Sequence, residues 1–184
     1  MAQSEDQFAQ GREFREAGNA HFKEGRYKEA LQMYWKAVMH VKPLGSDQSV
    51  ASALGGAMPG MGNLGANPNA SPSVDPKEVS EFLSLTYSNM AMVQLKKGDF
   101  EKALERAKEA LHYNSKNDKA RYRHGQASME LEDFDQAEKD FAEALQINGE
   151  NKGAVAKARQ QLAEKKKAFL QKKEKPMYQK MFGS

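Results

Sequence analysis

The chain has 184 residues, 39% hydrophobic and 29% charged, enough for one domain. It contains no cysteine, which excludes a disulfide framework, a thiolate zinc site and a cysteine nucleophile. The net charge of +3 is uneven, with nine Lys/Arg against two Glu over residues 157–180, so the rest is slightly acidic.

Helix-forming residues dominate and isoleucine occurs once, at Ile147, which points to an all-α protein rather than a sheet. The opening residues Met1–Asp6 lack a basic segment followed by an apolar run, so no signal peptide is expected. No apolar stretch is long enough to cross a bilayer, and the expected compartment is the cytoplasm. A first helical hairpin is expected over residues 1–42, with its turn at Gly25-Arg26. Phe14, Phe22, Tyr27, Leu31 and Tyr34 give it apolar spacing. Residues 43–76 then lose all periodicity and read as a flexible Gly/Pro/Asn/Ala-rich insert. Asp75 and Pro76 are a natural N-cap and first helical residue for a second hairpin over 77–114, which turns at Gly98-Asp99. A third spans 118–148 and turns at Glu132-Asp133. From Asn151 a long, basic amphipathic helix is expected over 151–184, with Val155, Leu162, Phe169 and Leu170 on its apolar side. It would cap the open end of the stack.

The hairpins are copies of one another. Gly25–Leu31, Gly98–Leu104 and Glu132–Glu138 each place an alanine three positions after an aromatic residue, and a second alanine seven further on. The pairs are Ala30/Ala37, Ala103/Ala110 and Ala137/Ala144, each on one helical stripe where a neighbouring helix can approach closely. The second and third copies are 34 residues apart; the first and second are 73 apart, one period plus 39 inserted residues. A 34-residue period of helical hairpins resembles the tetratricopeptide repeat (TPR). That resemblance implies a three-repeat solenoid of antiparallel hairpins with a capping helix.

Catalytic signals are lacking. His21, His40, His112 and His124 show no metal-ligand spacing, and no cofactor is expected. Gly60-Met-Gly62-Asn-Leu-Gly65 fits a dinucleotide fingerprint but follows no strand and opens no helix. Asn69-Ala-Ser71 matches a glycosylation sequon expected to stay unused. The chain reads as a binding protein, not an enzyme. Its informative polar residues sit on the first helix of each hairpin. Arg15 and Asn19 are four apart on one face, Lys119 and Arg123 repeat that geometry, and Asn89 takes the equivalent face of the second hairpin. Three cations and two amides converging on a groove would suit carboxylates. Gly18 and Gly125 read instead as packing glycines.

These five residues resemble the two-carboxylate clamp of TPR co-chaperones, which binds the terminal Glu-Glu-Val-Asp of the ninety- and seventy-kilodalton heat-shock chaperones. On that resemblance, Lys119 and Arg123 hold carboxylates of the peptide, while Arg15, Asn19 and Asn89 anchor its final carboxylate. The family more commonly has Lys where this chain has Arg15, and Ala91 stands where a packing glycine is usual. The enlarged connection after the first repeat, with the tail Lys173–Phe182, is similar to the TPR domains of large immunophilins. Over nearly the whole chain outside the insert, the layout is more similar still to the tetratricopeptide repeat protein 9 family, including the ending Met-Phe-Gly. The implied function is a co-chaperone or adaptor. An alternative makes the convex face or the basic C-terminal helix the main binding surface, with Met177, Tyr178, Met181 and Phe182 interleaved with lysines to contact further proteins, calmodulin or a membrane surface. No nucleic-acid partner is expected.

Overall fold

The computed structural model describes residues 2–45 and 74–182, with side chains over 4–45 and 74–173. The regular structure among these is helical throughout: α1 (Ala2–Lys23), α2 (Tyr27–Gly45), α3 (Pro76–Lys97), α4 (Phe100–Tyr113), α5 (Asp118–Glu130), α6 (Phe134–Ile147) and α7 (Lys152–Phe182). A 3-10 turn at Gly149–Asn151 leads into α7. The helices pair as α1/α2, α3/α4 and α5/α6; each pair stacks on the next, and α7 closes the stack against α6. The fold is an all-α solenoid of three hairpins and a capping helix.

Short polar side chains start the helices. Asp75, in extended backbone just before Pro76, accepts from the Lys77 N–H at 2.8 Å. Asn117 accepts from Ala120 at 2.9 Å and Asp133 from Gln136 at 3.2 Å. The three hairpin turns share one device, a left-handed residue: Gly25 (φ +75°), Gly98 (φ +77°) and Glu132 (φ +65°). Only the third turn carries a side chain there, at a modest conformational cost.

All six alanines of the repeated pairs are 0% exposed, so the stripe read from spacing is where the helices touch. At Gly18 an added Cβ would lie 2.7 Å from the Tyr34 ring, and at Gly125 2.9 Å from Phe141 Cε1. The buried side chains form two clusters. Phe8, Tyr34, Val41, Phe82, Leu83 and Tyr87 belong to one, which joins the first two hairpins. Met129, Phe134, Phe141, Val155 and Leu162 belong to the other, which joins the third hairpin to α7. The first cluster reaches α4 and α5 through buried Ala110 and Ala120. Hydrogen bonds complete that seam: Asn117 Nδ2 donates to Ser84 Oγ at 2.8 Å, and Ser84 Oγ donates to the Ala110 carbonyl at 2.8 Å.

Two expectations are corrected here. The insert does not begin at 43: α2 runs through Pro43 to Gly45 because Leu44 packs on the first core and holds the last turn past the proline. Leu170 is not on the apolar side of α7 but 50% exposed, because it lies about 100° around the helix from Phe169, whose ring packs on Phe134. The bulk of the insert, with the Gly60–Gly65 motif and the Asn69 sequon, lies outside the described residues. So do the side chains of Met177, Tyr178, Met181 and Phe182.

Candidate functional site

The first helices of the hairpins share one side of the stack, and side chains bridge between them. Asn89 Nδ2 on α3 donates to Asn19 Oδ1 on α1 at 3.1 Å. Arg123 on α5 donates to Ser88 Oγ on α3 at 2.6 Å. Between them lies a cleft of about 250 Å³ lined by Asn19, Phe22, Lys23, Tyr34, Asn89, Met92 and Arg123. Three of the five predicted site residues, Asn19, Asn89 and Arg123, therefore meet in one place although they come from three hairpins.

The other two stand outside that lining. Arg15 lies one turn before Asn19, with its guanidinium over the Phe82 ring at 4.5 Å from the centroid. Lys119 is exposed one turn before Arg123. Among the apolar residues of the first hairpin, Phe22 lines the cleft.

Arg12, Arg26, Arg106, Arg121 and Arg159 each have a carboxylate at ion-pair distance, from Glu78, Glu24, Glu105, Asp140 and Glu138. Among the described residues no carboxylate pairs in this way with Arg15 or Arg123. Arg123 is nevertheless only 8% exposed. Burial pulls its guanidinium down to about 10, against the opposing pull of Tyr34 and Asp118. Burial also lowers Arg15, helped by the like charge of Arg12. The Tyr34 hydroxyl is pushed up to about 12 by burial, against the opposing pull of the Arg123 and Arg15 cations. Both arginines thus act on the same phenol, and the cleft presents cationic and amide donors in excess of acceptors. The chemistry of such a donor set suits an anion with several oxygens.

Tyr34, Ser88 and Met92 were not identified from sequence. Tyr34 fits the apolar spacing of the first hairpin, yet its hydroxyl donates to Asn19 Oδ1 at 2.7 Å. A buried tyrosine needs a partner for its hydroxyl, and that is the signal the spacing obscured. Ser88 adjoins Asn89 and becomes visible only through Arg123.

The family model described as "Tetratricopeptide repeat" matches residues 94–162. The peptidyl-prolyl cis-trans isomerase FKBP4 of Bos taurus is 31% identical over 180 residues, covering 97% of this chain and 33% of the relative. FKBP4 of Rattus norvegicus is 30% identical over 173 residues, covering 90% and 32%. The chain spans about a third of the length of the curated relatives it matches. Among solved structures, the fold is similar to the first TPR of Spaghetti (RPAP3) bound to the HSP90 peptide SRMEEVD (TM-score 0.57, 21% identity, 85% of this chain and 95% of that one). It is similar to the Hsp90 co-chaperone Cns1 of Saccharomyces cerevisiae (TM-score 0.64, 22% identity, 93% and 44%). A third likeness is the TPR2B domain of yeast Sti1 in its pHsp70 complex (TM-score 0.57, 17% identity, 87% and 98%).

Proposed function

We propose that this tetratricopeptide-repeat protein is a co-chaperone or adaptor that captures the acidic C-terminal peptide of a heat-shock chaperone in the cleft between α1, α3 and α5. The observation that carries the reading is the pair of arginines, Arg15 and Arg123, with no carboxylate at ion-pair distance among the described residues. Arg123 is buried and lines the cleft with Asn19 and Asn89; its hydrogen bond goes to the neutral Ser88 hydroxyl and no carboxylate among the described residues comes within ion-pair distance, an arrangement that is expensive unless an anion joins it. The solved structures it resembles include TPR domains holding chaperone peptides, which supports the choice of anion.

In this proposal Asn19 and Asn89 donate to the terminal carboxylate, with Arg15 beside it, and Arg123 and Lys119 hold a side-chain carboxylate. Phe22 and Met92 supply the apolar wall of the cleft for the penultimate valine. Few peptide residues are ordered, so affinity is expected in the micromolar range. The isomerase activity for which the longer relatives are named is not part of the proposal, because the match covers about a third of their length. A cytoplasmic setting belongs to the same reading; no helix among the described residues is long and apolar enough to cross a membrane.

The alternative surface, the basic face of α7, has less support. Lys165 and Lys166 are engaged by Glu130 and Asp135 within the chain. Calorimetry with a peptide ending in Glu-Glu-Val-Asp tests the main reading. Micromolar binding is expected, with a loss of roughly 2–4 kcal/mol in the Lys119→Ala/Arg123→Ala double variant. Unchanged affinity in a folded double variant would reject it.

A further inference from the structure

Asn89 and Arg123 are 34 residues apart, and the next step of the same period falls on Lys157, on α7. α7 serves the fold as a cap: Val155 and Ala158 are each 1% exposed and join the second core. Lys157, between them in sequence, is exposed, and no carboxylate among the described residues lies at ion-pair distance from it.

Contacts on either side of α7 show which of its faces lies towards α5 and which towards α6. Arg159 pairs with Glu138 of α6. Towards α5, the Tyr122 hydroxyl donates to the Ala154 carbonyl at 3.5 Å, and Lys165 donates to Glu130 at 2.6 Å. Positions 154, 157, 161 and 165 follow the i, i+3, i+7, i+11 spacing of one helix face. Lys157 therefore lies on the side of α7 turned away from Arg159 and Glu138, at the register position that corresponds to Arg123 one repeat earlier. Lys165 on that face already has its carboxylate, whereas Lys157 does not.

We propose that Lys157 extends the cleft by one subsite, selecting peptides that carry an acidic side chain upstream of the residues held by Arg123. The proposal rests on the peptide-binding reading above. Packed helices lie about 10 Å apart and an extended chain advances about 3.3 Å per residue. The favoured carboxylate accordingly lies about three residues upstream of the one facing Arg123. The capping helix then reads sequence as well as covering the core.

Two eight-residue peptides ending in Glu-Glu-Val-Asp, identical except for Glu or Ser at the fifth to seventh positions from the end, provide the test by calorimetry. The wild type is expected to bind the Glu peptide about threefold more tightly, the scale of an exposed ion pair. Lys157→Glu should erase or reverse that preference while leaving the Ser peptide within about twofold. Lys139→Glu, which makes the same charge change on the exposed surface of α6, should preserve it. A preference that survives in Lys157→Glu, or that the wild type does not show, overturns the subsite and leaves the clamp standing. If neither peptide binds the wild type, the clamp fails and the subsite fails with it.

Discussion

Asn19 and Asn89 meet across 70 residues of sequence: the Asn89 amide donates to Asn19 Oδ1 at 3.1 Å, and the Tyr34 hydroxyl donates to the same oxygen at 2.7 Å. With both lone pairs of that oxygen occupied, the orientation of the Asn19 amide is set. A donor already held in its bound orientation gives up little entropy when a carboxylate arrives.

Replacing Tyr34 by Phe removes the hydroxyl but keeps the ring that packs on Gly18. The lost hydrogen bond, about 0.5–1.5 kcal/mol, should weaken peptide binding about three- to tenfold with an unchanged circular dichroism spectrum. Wild-type affinity in this variant would show that the amide needs no such support.

Arg123 sets stability against function. Burial that holds its guanidinium near 10 costs the empty fold on the order of 3 kcal/mol. Met at this position fills similar space without charge but leaves Ser88 Oγ unpartnered, a loss of about 1 kcal/mol. Arg123→Met should therefore raise the urea midpoint by the equivalent of about 1–2 kcal/mol and abolish peptide binding. A destabilised Arg123→Met would mean that the arginine is a structural residue.

Gly125 and Gly153 form a matched pair. Alanine is the better helix former, by up to about 1 kcal/mol in a helix interior, and at Gly153, at the start of α7, where nothing lies within 4 Å of the added Cβ, packing does not oppose the gain. At Gly125 the Cβ meets Phe141 at 2.9 Å and Asp140 Cβ at 3.0 Å. Overpacking of about 1–3 kcal/mol offsets or exceeds the gain there. Thermal unfolding should rise for Gly153→Ala and stay level or fall for Gly125→Ala.

Asp118 gives the cap a pH dependence. Burial alone would raise its carboxyl, but donors from Asn148, Asn151 and the Lys119 N–H, together with the Lys119 charge, outweigh it, and the net shift is downward. A carboxyl lowered in the folded state contributes stability that is present above its unfolded value, near 3.9. That stability is lost as pH falls through the lower folded value. Asp118→Asn should cost about 1 kcal/mol at pH 7, and the deficit should shrink below about pH 4. A deficit that does not change with pH would count against the carboxylate.

The repeat was readable because it is periodic. Alanine pairs seven apart and turns at Gly25, Gly98 and Glu132 report backbone geometry that every copy must satisfy. The site was readable only in part, because its remaining support comes from contacts distant in sequence. Nothing near Arg15 announces that Phe82 lies beneath its guanidinium. Nothing near Asn19 announces the Tyr34 hydroxyl, since a tyrosine at an apolar position has the same spacing whether its oxygen is idle or bonded. Spacing gave Lys119 and Arg123 equal standing, yet one is exposed and the other buried, a difference made by Ser88 and the hairpin before it.

The seam between the two apolar cores has a mechanical consequence. Asn19 and Asn89 belong to the half built from the first two hairpins, while Lys119 and Arg123 belong to the half shared with α7. Buried Ala110 and Ala120 and the hydrogen bonds Asn117–Ser84 and Arg123–Ser88 join those halves, so any opening of the α5–α7 half as a unit must break them. A peptide gripped from both sides acts as a strap across that joint, and its binding energy opposes the opening. In native-state hydrogen exchange, amides of α5 and α6 should slow on peptide addition more than those of α1 and α2. The occupied protein would then be a stiffer rod than the empty one, without change in the path of its backbone.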